Sequence, residues 1–172
     1  MNWRQQGFSM AEAMISVLVL SGGLLGLAFL QAQGMKFNAD AYQRTQATVL
    51  AYDIIDRLRA NPVAANGNGY SVPNSAAATA ASTANLLDCD KPDGSVPCTA
   101  NELATFDLVR WYQAQTTSLA LDPSNYATIS RAPVAGNPAL DSHTITMRWF
   151  EQSNREQSNL KTQTWEVRIR VP

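Results

Sequence analysis

The sequence predicts an α+β fold, in which one long N-terminal helix packs on a small antiparallel sheet and a second, shorter helix completes the head. Three observations predict this class: an apolar run near the N-terminus that continues as an amphipathic helical pattern, a helix-start signal before a second amphipathic stretch, and two C-terminal segments that alternate between apolar and polar residues. A chain of 172 residues, 45% of them apolar, can form one ordinary domain with its own core.

The first helix is expected to begin in a membrane. Residues 8–30 are apolar with four exceptions, which are Ser9, Glu12, Ser16 and Ser21. About 20 apolar residues cross a bilayer core, and a cleaved secretory signal has a shorter apolar run of roughly 7–15 residues. Because Arg4 precedes the run, we expect the N-terminus to stay in the cytoplasm and the rest of the chain to be exported.

The helical pattern continues beyond the apolar run. Apolar residues recur on one helical stripe at Ala47, Leu50, Ala51, Ile54 and Leu58. Asp53 and Arg57 are four residues apart and can pair on the outer face. No proline occurs before Pro62, so one helix is predicted over residues 8–60, on the order of 80 Å long, with an amphipathic half at residues 31–60.

Residues 61–172 are predicted to form the head. Its first part, Asn61 to Asn85, is rich in small residues and is expected to be a surface loop or partly disordered, with a variable recognition loop as the alternative. Thr99 and Glu102 have capping-box spacing, which predicts a second helix over residues 100–119. Its core-facing residues are expected to be Leu103, Phe106, Val109 and Tyr112, with Trp111 adding to the buried side.

The C-terminal third is predicted to form strands. Tyr126–Arg131 is a short candidate, and His143–Glu151 and Trp165–Val171 alternate as half-buried antiparallel strands do. The polar residues between the last two strands are expected to form a long hairpin connection. A solvated basic face is expected at Arg148, Arg168 and Arg170.

Two cysteines, Cys89 and Cys98, bracket a Pro-Asp-Gly turn. In an exported domain, two close cysteines usually form a disulfide, whereas in a cytosolic protein they would stay free thiols. The apolar N-terminal run favours the disulfide. No histidine lies near either cysteine, so a zinc site is not predicted.

The sequence offers little for an enzyme, a cofactor or a nucleic acid. The formal net charge is −1, so no basic field predicts a specific nucleic-acid partner. No phosphate-binding loop, metal-ligand cluster or nucleophile elbow is present. The single histidine, His143, is expected to be an exposed residue at a strand end. We therefore predict no catalytic residues, no metal and no cofactor.

Glu12 is the one unexplained feature of the apolar run. A carboxylate in hydrocarbon is costly and is usually paired or functional. No Lys or Arg lies between residues 5 and 35 to pair with it. Either Glu12 lies at headgroup depth, or its partner comes from another subunit or from a new amino terminus made by cleavage.

The segment from Gly7 to Glu12, GFSMAE, followed by an apolar run, resembles the class III signal of type IV prepilins and pseudopilins. This resemblance implies that prepilin peptidase cleaves between Gly7 and Phe8, so that residues 1–7 are a leader, and then N-methylates Phe8. It also implies that Glu12 meets the amine of a neighbouring subunit during assembly. Ser-Met-Ala stands where Thr-Leu-Ile is commoner, which leaves the cleavage chemistry unchanged.

Three further stretches, DIIDRLRANP, ELATFDLVRWYQ and TITMRWFE with WEVRIRV, resemble PilV-type minor pilins. The resemblance implies a type IV pilin fold and a role in initiating pilus assembly, at or near the tip. The implied partners are prepilin peptidase, other minor pilins, the major pilin and the inner-membrane assembly platform. The chain would be a single-pass inner-membrane protein before assembly and a pilus component afterwards.

Two other functions remain open from the sequence. A pseudopilin of a type II secretion system would share the cleavage signal and the mode of assembly. A membrane-anchored exported binding protein or enzyme would keep its anchor uncleaved. The length of the head and the Arg-Ala-Asn-Pro junction favour the pilus.

Overall fold

The computed structural model describes residues 9–82, 89, 98–119, 127–137, 141–151 and 162–171. The chain divides into two compact units, Met1–Asn38 and Ala39–Pro172. Helix α1 spans Met10–Ala60, and three shorter helices follow: α2 (Pro62–Asn66), α3 (Ser75–Ser82) and α4 (Ala100–Ser118). The strands are β1 (Thr128–Ala132), β2 (Ser142–Phe150) and β3 (Thr162–Arg170). They form one antiparallel sheet in the order β1-β2-β3, so the predicted α+β class is confirmed.

The predicted length and the predicted core stripe of α1 are both confirmed. The helix is 51 residues long, and its stripe of Ala47, Leu50, Ala51, Ile54 and Leu58 is buried, with at most 7% of any of these residues exposed. The helix ends where Pro62 lacks the backbone N–H that would extend it. Asn61 then caps α2, because its side-chain Oδ1 accepts a hydrogen bond from the Ala64 amide at 3.4 Å.

The predicted surface loop after α1 is wrong for residues 62–82. This segment forms α2, a turn and α3, and it buries five side chains, which are Ala64, Ala65, Tyr70, Val72 and Ala78. Alanine has the highest helix propensity and fits in narrow spaces, so an alanine-rich segment can pack without large apolar residues. Residues 83–85 of the predicted loop lie outside the described part of the chain.

Helix α4 begins as predicted, but its buried face is rotated. Thr99 and Glu102 form both hydrogen bonds of the capping box, Glu102 N to Thr99 Oγ1 at 3.3 Å and Thr99 N to Glu102 Oε2 at 2.7 Å. Leu103 is 37% exposed, and Phe106 is half-buried beneath the Arg110 guanidinium. The predicted burial of Val109, Trp111 and Tyr112 is confirmed, and the buried face also includes Ala104, Asp107, Leu108 and Gln115.

Both predicted long strands are present, and β2 has the predicted alternation. Ile145, Met147 and Trp149 of β2 are buried, and the β2–β3 register runs without interruption from Ser142 opposite Arg170 to Phe150 opposite Thr162. Strand β1 begins at Thr128, whereas the predicted start, Tyr126, lies outside the described residues. Residues 152–161 of the predicted connection between β2 and β3 also lie outside them, but its last three residues, 162–164, are wrong as a connection, because β3 already begins at Thr162.

The prediction for His143 is wrong. The residue was expected to be exposed, but it is buried, with 2% of its surface accessible. His143 and Ile145 are two positions apart in β2, so both lie on the face of the strand that packs in the core.

Trp111 joins α4 to α1 at the centre of the core. It is fully buried, and its Nε1–H donates to the backbone oxygen of Leu50 at 2.8 Å. We expect Trp111→Phe to lower the free energy of unfolding by about 2–3 kcal/mol, because it leaves a cavity and removes this donor. Denaturant titration of the detergent-solubilised chain, followed by circular dichroism, measures the change. The matched control, Leu103→Ala on the exposed side, is expected to stay within about 0.5 kcal/mol, and equal effects of the two variants would contradict the assignment.

Candidate functional site

The first candidate site is the apolar part of α1. Every residue from Ser9 to Ala32 is exposed, and the large apolar side chains between Met10 and Leu30 are 52–86% exposed. A soluble monomer rarely presents a continuous apolar patch larger than a few hundred Å². Among the described residues, α1 is the one helix long and apolar enough to cross a membrane. This surface therefore fits a membrane span or a contact with other apolar helices.

Glu12 lies in the first turn of α1, beside Ser9. The Glu12 amide donates to the backbone oxygen of Ser9 at 3.0 Å and to its Oγ at 3.3 Å, so Ser9 acts as the N-cap of the helix. A carboxylate in the first turn also interacts favourably with the helix dipole. Glu12 is thus a negative charge held at one end of an apolar surface, where it can accept hydrogen bonds from an ammonium group.

Of the predicted site residues in this segment, only Glu12 is described. Gly7 and Phe8 lie outside the described residues. A capping role for Ser9 was not predicted from the sequence, although Ser9 and Glu12 have the Ser-x-x-Glu spacing of a capping box. That spacing was the available signal for the role of Ser9.

The second site is a buried polar network in the head, centred on Asp107. Arg57 of α1 donates from Nη1 to Asp107 Oδ1 at 2.8 Å, and the hydroxyl of Tyr70 donates to Asp107 Oδ2 at 2.5 Å. Asn61 donates from Nδ2 to the Tyr70 oxygen at 3.4 Å and to the backbone oxygen of Ala100 at 2.7 Å. Burial and the neighbouring Asp107 raise the pKa of Tyr70, so its hydroxyl stays a donor.

Arg57 also pairs with Asp53, as the sequence predicted. The distance from Arg57 Nε to Asp53 Oδ2 is 3.0 Å, and this contact lies on a partly exposed helix face. What the sequence did not predict is that the same guanidinium reaches Asp107 on α4. The donors of a guanidinium group lie in one plane and point in fixed directions. Because Arg57 contacts a carboxylate on each helix, its geometry fixes the direction in which α4 crosses α1.

Gly69 is required by the packing beside this network. A Cβ atom at position 69 would lie 2.9 Å from Ala64 Cβ and 2.9 Å from Asn101 Oδ1. The Gly69 amide donates to the backbone oxygen of Ala64 at 2.7 Å. Glycine thus lets the chain turn tightly after α2 and places Tyr70 against Asp107.

A third polar cluster joins β1 to the start of β2. Asp141 is buried; it accepts from the Val134 amide at 2.6 Å and from Arg131 Nε at 2.9 Å, with Arg131 Nη2 as a second donor. The Val134 amide is the main cause of the lowered pKa of Asp141, and Arg131 adds to it. Arg131 Nη1 also donates to Asn68 Oδ1 at 2.9 Å, which ties the turn after α2 to the sheet.

His143 lies next to this cluster. Burial, and then the charge of Arg131, lower the pKa of His143, and its Nε2 has no hydrogen-bond partner among the residues that the structure describes. Asp141 acts in the opposite direction and does not offset these two causes. The arrangement stabilises a neutral imidazole packed in the core of the head.

Cys89 and Cys98 form a disulfide, as expected for an exported domain. Within the described part of the chain, no group of three or more His, Cys, Asp or Glu residues is placed to hold a metal ion. The polar clusters of the head join elements to each other and are structural in their contacts.

Comparison with protein families adds one finding. Residues 29–109 match the Tt1218-like family model, described as Type IV pilin Tt1218. The matched part is just under half of the chain and runs from the end of the apolar segment through the first ten residues of α4. No curated protein and no solved structure matches the chain.

The match supports a type IV pilin. The long apolar helix and the small antiparallel sheet are consistent with the pilin fold. The matched residues do not include the GFSMAE segment, so the match and the signal motif are separate observations. The pilin family and the apolar helix of this chain fit a protein that is first anchored in a membrane and then assembles with other pilins in a pilus.

The buried His143 predicts how stability depends on pH. Its pKa is lowered from 6.5 in the folded state, so below pH 6.5 the unfolded chain binds a proton that the folded chain does not. The free energy of unfolding should therefore fall as the pH falls from 6.5 to 5, with a contribution from His143 of at most about 1.4 kcal/mol per pH unit. Denaturation midpoints across this window measure it. In His143→Gln, which does not titrate, this part of the slope should disappear, and an unchanged slope would contradict the assignment.

Proposed function

We propose that the chain is a minor pilin of a type IV pilus, processed by prepilin peptidase, that helps to initiate pilus assembly. The exposed apolar surface of α1 with Glu12 in its first turn carries this proposal. Such a surface needs apolar partners throughout its life, first lipid and then the helices of other subunits. The pilin-family match supports the general class, and the GFSMAE segment supports the processing.

The cleavage step explains the position of the carboxylate. Hydrolysis of the peptide bond between Gly7 and Phe8 releases the leader and leaves an amine on Phe8, four residues before Glu12. N-methylation of that amine keeps its positive charge. The amine of one subunit can then pair with Glu12 of a neighbour whose helix is shifted along the axis. In an apolar surrounding this pair fixes the register, because a shift in register would leave both charges buried and unpaired.

The minor role is supported by the resemblance of the head to PilV-type pilins. The segment DIIDRLRANP contains Asp53 and Arg57, and ELATFDLVRWYQ contains Asp107 and Trp111. In the structure the contacts of Arg57 with Asp107 and of Trp111 with the Leu50 carbonyl hold α4 on α1, and Asp53 pairs with Arg57 within α1. Two of the stretches that carry the resemblance thus meet in the head, and the resemblance supports a position at or near the pilus tip, next to other minor pilins and followed by the major pilin.

The mass of the mature protein tests the processing. We expect the chain purified from membranes of its producing cell to begin at a methylated Phe8, and the unprocessed form, which begins at Met1, to accumulate when prepilin peptidase is deleted. Peptide mapping by mass spectrometry measures both. A chain that keeps Met1 in cells with active peptidase contradicts the proposal and favours an uncleaved anchor. Deletion of the chain, scored for surface pili and for protein secretion, separates a pilus from a type II secretion system.

Glu12 variants test the assembly contact. We expect Glu12→Ala to be cleaved normally and to be at least about 100-fold depleted from sheared pili, because removing one partner of a buried ion pair costs about 3–5 kcal/mol. Immunoblots of membrane and pilus fractions measure this depletion. Ser9→Ala is the matched control, since it removes the helix cap but keeps the carboxylate, and it should assemble as the wild type does. Equal depletion of both variants would instead indicate that capping of α1 is what matters.

A further inference from the structure

The two edges of the sheet differ. At the β1 edge, Ile129 and Val72 exchange both backbone hydrogen bonds, with Val72 N to Ile129 O at 2.7 Å and Ile129 N to Val72 O at 2.9 Å. Strand β1 has only five residues, and this bridge covers the outer edge at its second residue. The chain thus covers one edge of its own sheet with the segment after α2, as soluble proteins commonly do.

The β3 edge has no such cover among the residues that the structure describes. Strand β3 has nine residues, all of them paired with β2 on the inner side. Its sequence, TQTWEVRIR, contains no proline or glycine, and its register with β2 has no bulge. Proline and bulges are two of the usual devices that prevent another strand from adding to an edge. A further device, charged residues, is present in the sequence at Glu166, Arg168 and Arg170, so the edge favours a strand of matching charge. Strand β3 is therefore a long and regular edge suited to strand addition.

The register shows which backbone groups point outward from β3. Residues of an antiparallel strand direct their N–H and C=O groups to alternate sides. Ile129 directs its groups to Val72, away from β2, so its partner Ile145 directs its own groups to β3. Val167, opposite Ile145, directs its groups back to β2. The outward backbone groups therefore belong to the alternate residues, which are Thr162, Thr164, Glu166, Arg168 and Arg170.

We propose that the outer edge of β3 accepts an extended strand from a neighbouring pilin subunit in the same filament. This inference rests on the proposed function, because assembly through α1 would hold the heads of neighbouring subunits side by side. That proximity gives a partner strand a high effective concentration at the edge, so a few backbone hydrogen bonds suffice for a specific contact.

The charge on β3 indicates the chemistry of the partner strand. Arg170 is exposed, and the sequence places a second arginine two positions earlier, at 168. Positions two apart in a strand lie on the same face. A partner strand with carboxylates opposite these two positions gains cross-strand ion pairs, whereas a basic strand is repelled. The edge thus selects an acidic extended segment.

Proline substitutions distinguish the outward from the inward backbone N–H groups of β3. Arg168→Pro removes one outward N–H and leaves the inward hydrogen bonds intact, so we expect its thermal unfolding to stay close to that of the wild type. Its recovery in sheared surface pili should fall by roughly fivefold or more, the effect of losing one backbone hydrogen bond on a binding equilibrium. Val167→Pro is the matched control, since it removes an inward N–H and should lower the melting temperature of the full-length protein.

Charge reversal gives a second measurement that needs no backbone change. Arg168→Glu combined with Arg170→Glu should also reduce recovery in pili at unchanged melting temperature. Normal recovery of both this variant and Arg168→Pro overturns the inference. A melting temperature of Arg168→Pro as low as that of Val167→Pro overturns the assignment of outward groups. If the wild-type chain is itself absent from pili while the major pilin is present, the proposed function fails and this inference fails with it.

Discussion

The head depends on one buried carboxylate. Asp107 lies between Arg57 of α1 and Tyr70 after α2, and one turn further along α4 Trp111 donates to the Leu50 carbonyl. Each contact joins segments that are distant in sequence, and each satisfies a polar group that would be costly to bury alone. Together the two contacts set the rotation of α4 about its own axis. Leu103 and Phe106 are therefore turned out of the core, although their spacing alone predicted that they would be buried.

This constraint also explains which parts of the fold the sequence predicted. Helix α1, the start of α4 and the two long strands have strong local signals, which are apolar periodicity, a capping box and period-two alternation. No local sequence pattern predicts the rotation of α4. The burial of Asp107 depends on its contacts with Arg57 and Tyr70, which are distant in the sequence. The same is true of His143, whose burial depends on the sheet packing on its neighbours. Local patterns thus predict elements, whereas long-range polar contacts decide their faces.

The alanine-rich segment after Asn61 illustrates a different limit. Its composition resembles that of loops, and low hydrophobicity argues against a core role. Yet Tyr70 and Val72 lie in the core, and the short helices around them bury Ala64, Ala65 and Ala78. Gly69 shows how narrow that space is, because a single added Cβ would meet Ala64 and Asn101. The segment also closes the β1 edge through Val72, which leaves β3 as the edge without cover among the described residues.

The N-terminal segment follows a different physical rule from the head. Its apolar residues are exposed, so they do not stabilise the isolated chain, and their free energy is gained only in a membrane or among other helices. A carboxylate is least costly in such a segment at the first turn. There the helix dipole favours negative charge and the Ser9 cap satisfies the Glu12 amide. Placement at headgroup depth and pairing with a subunit amine therefore do not exclude each other. In the proposed function, the first would let the precursor insert, and the second would give the same carboxylate a partner once cleavage has made the amine and the helix leaves the lipid.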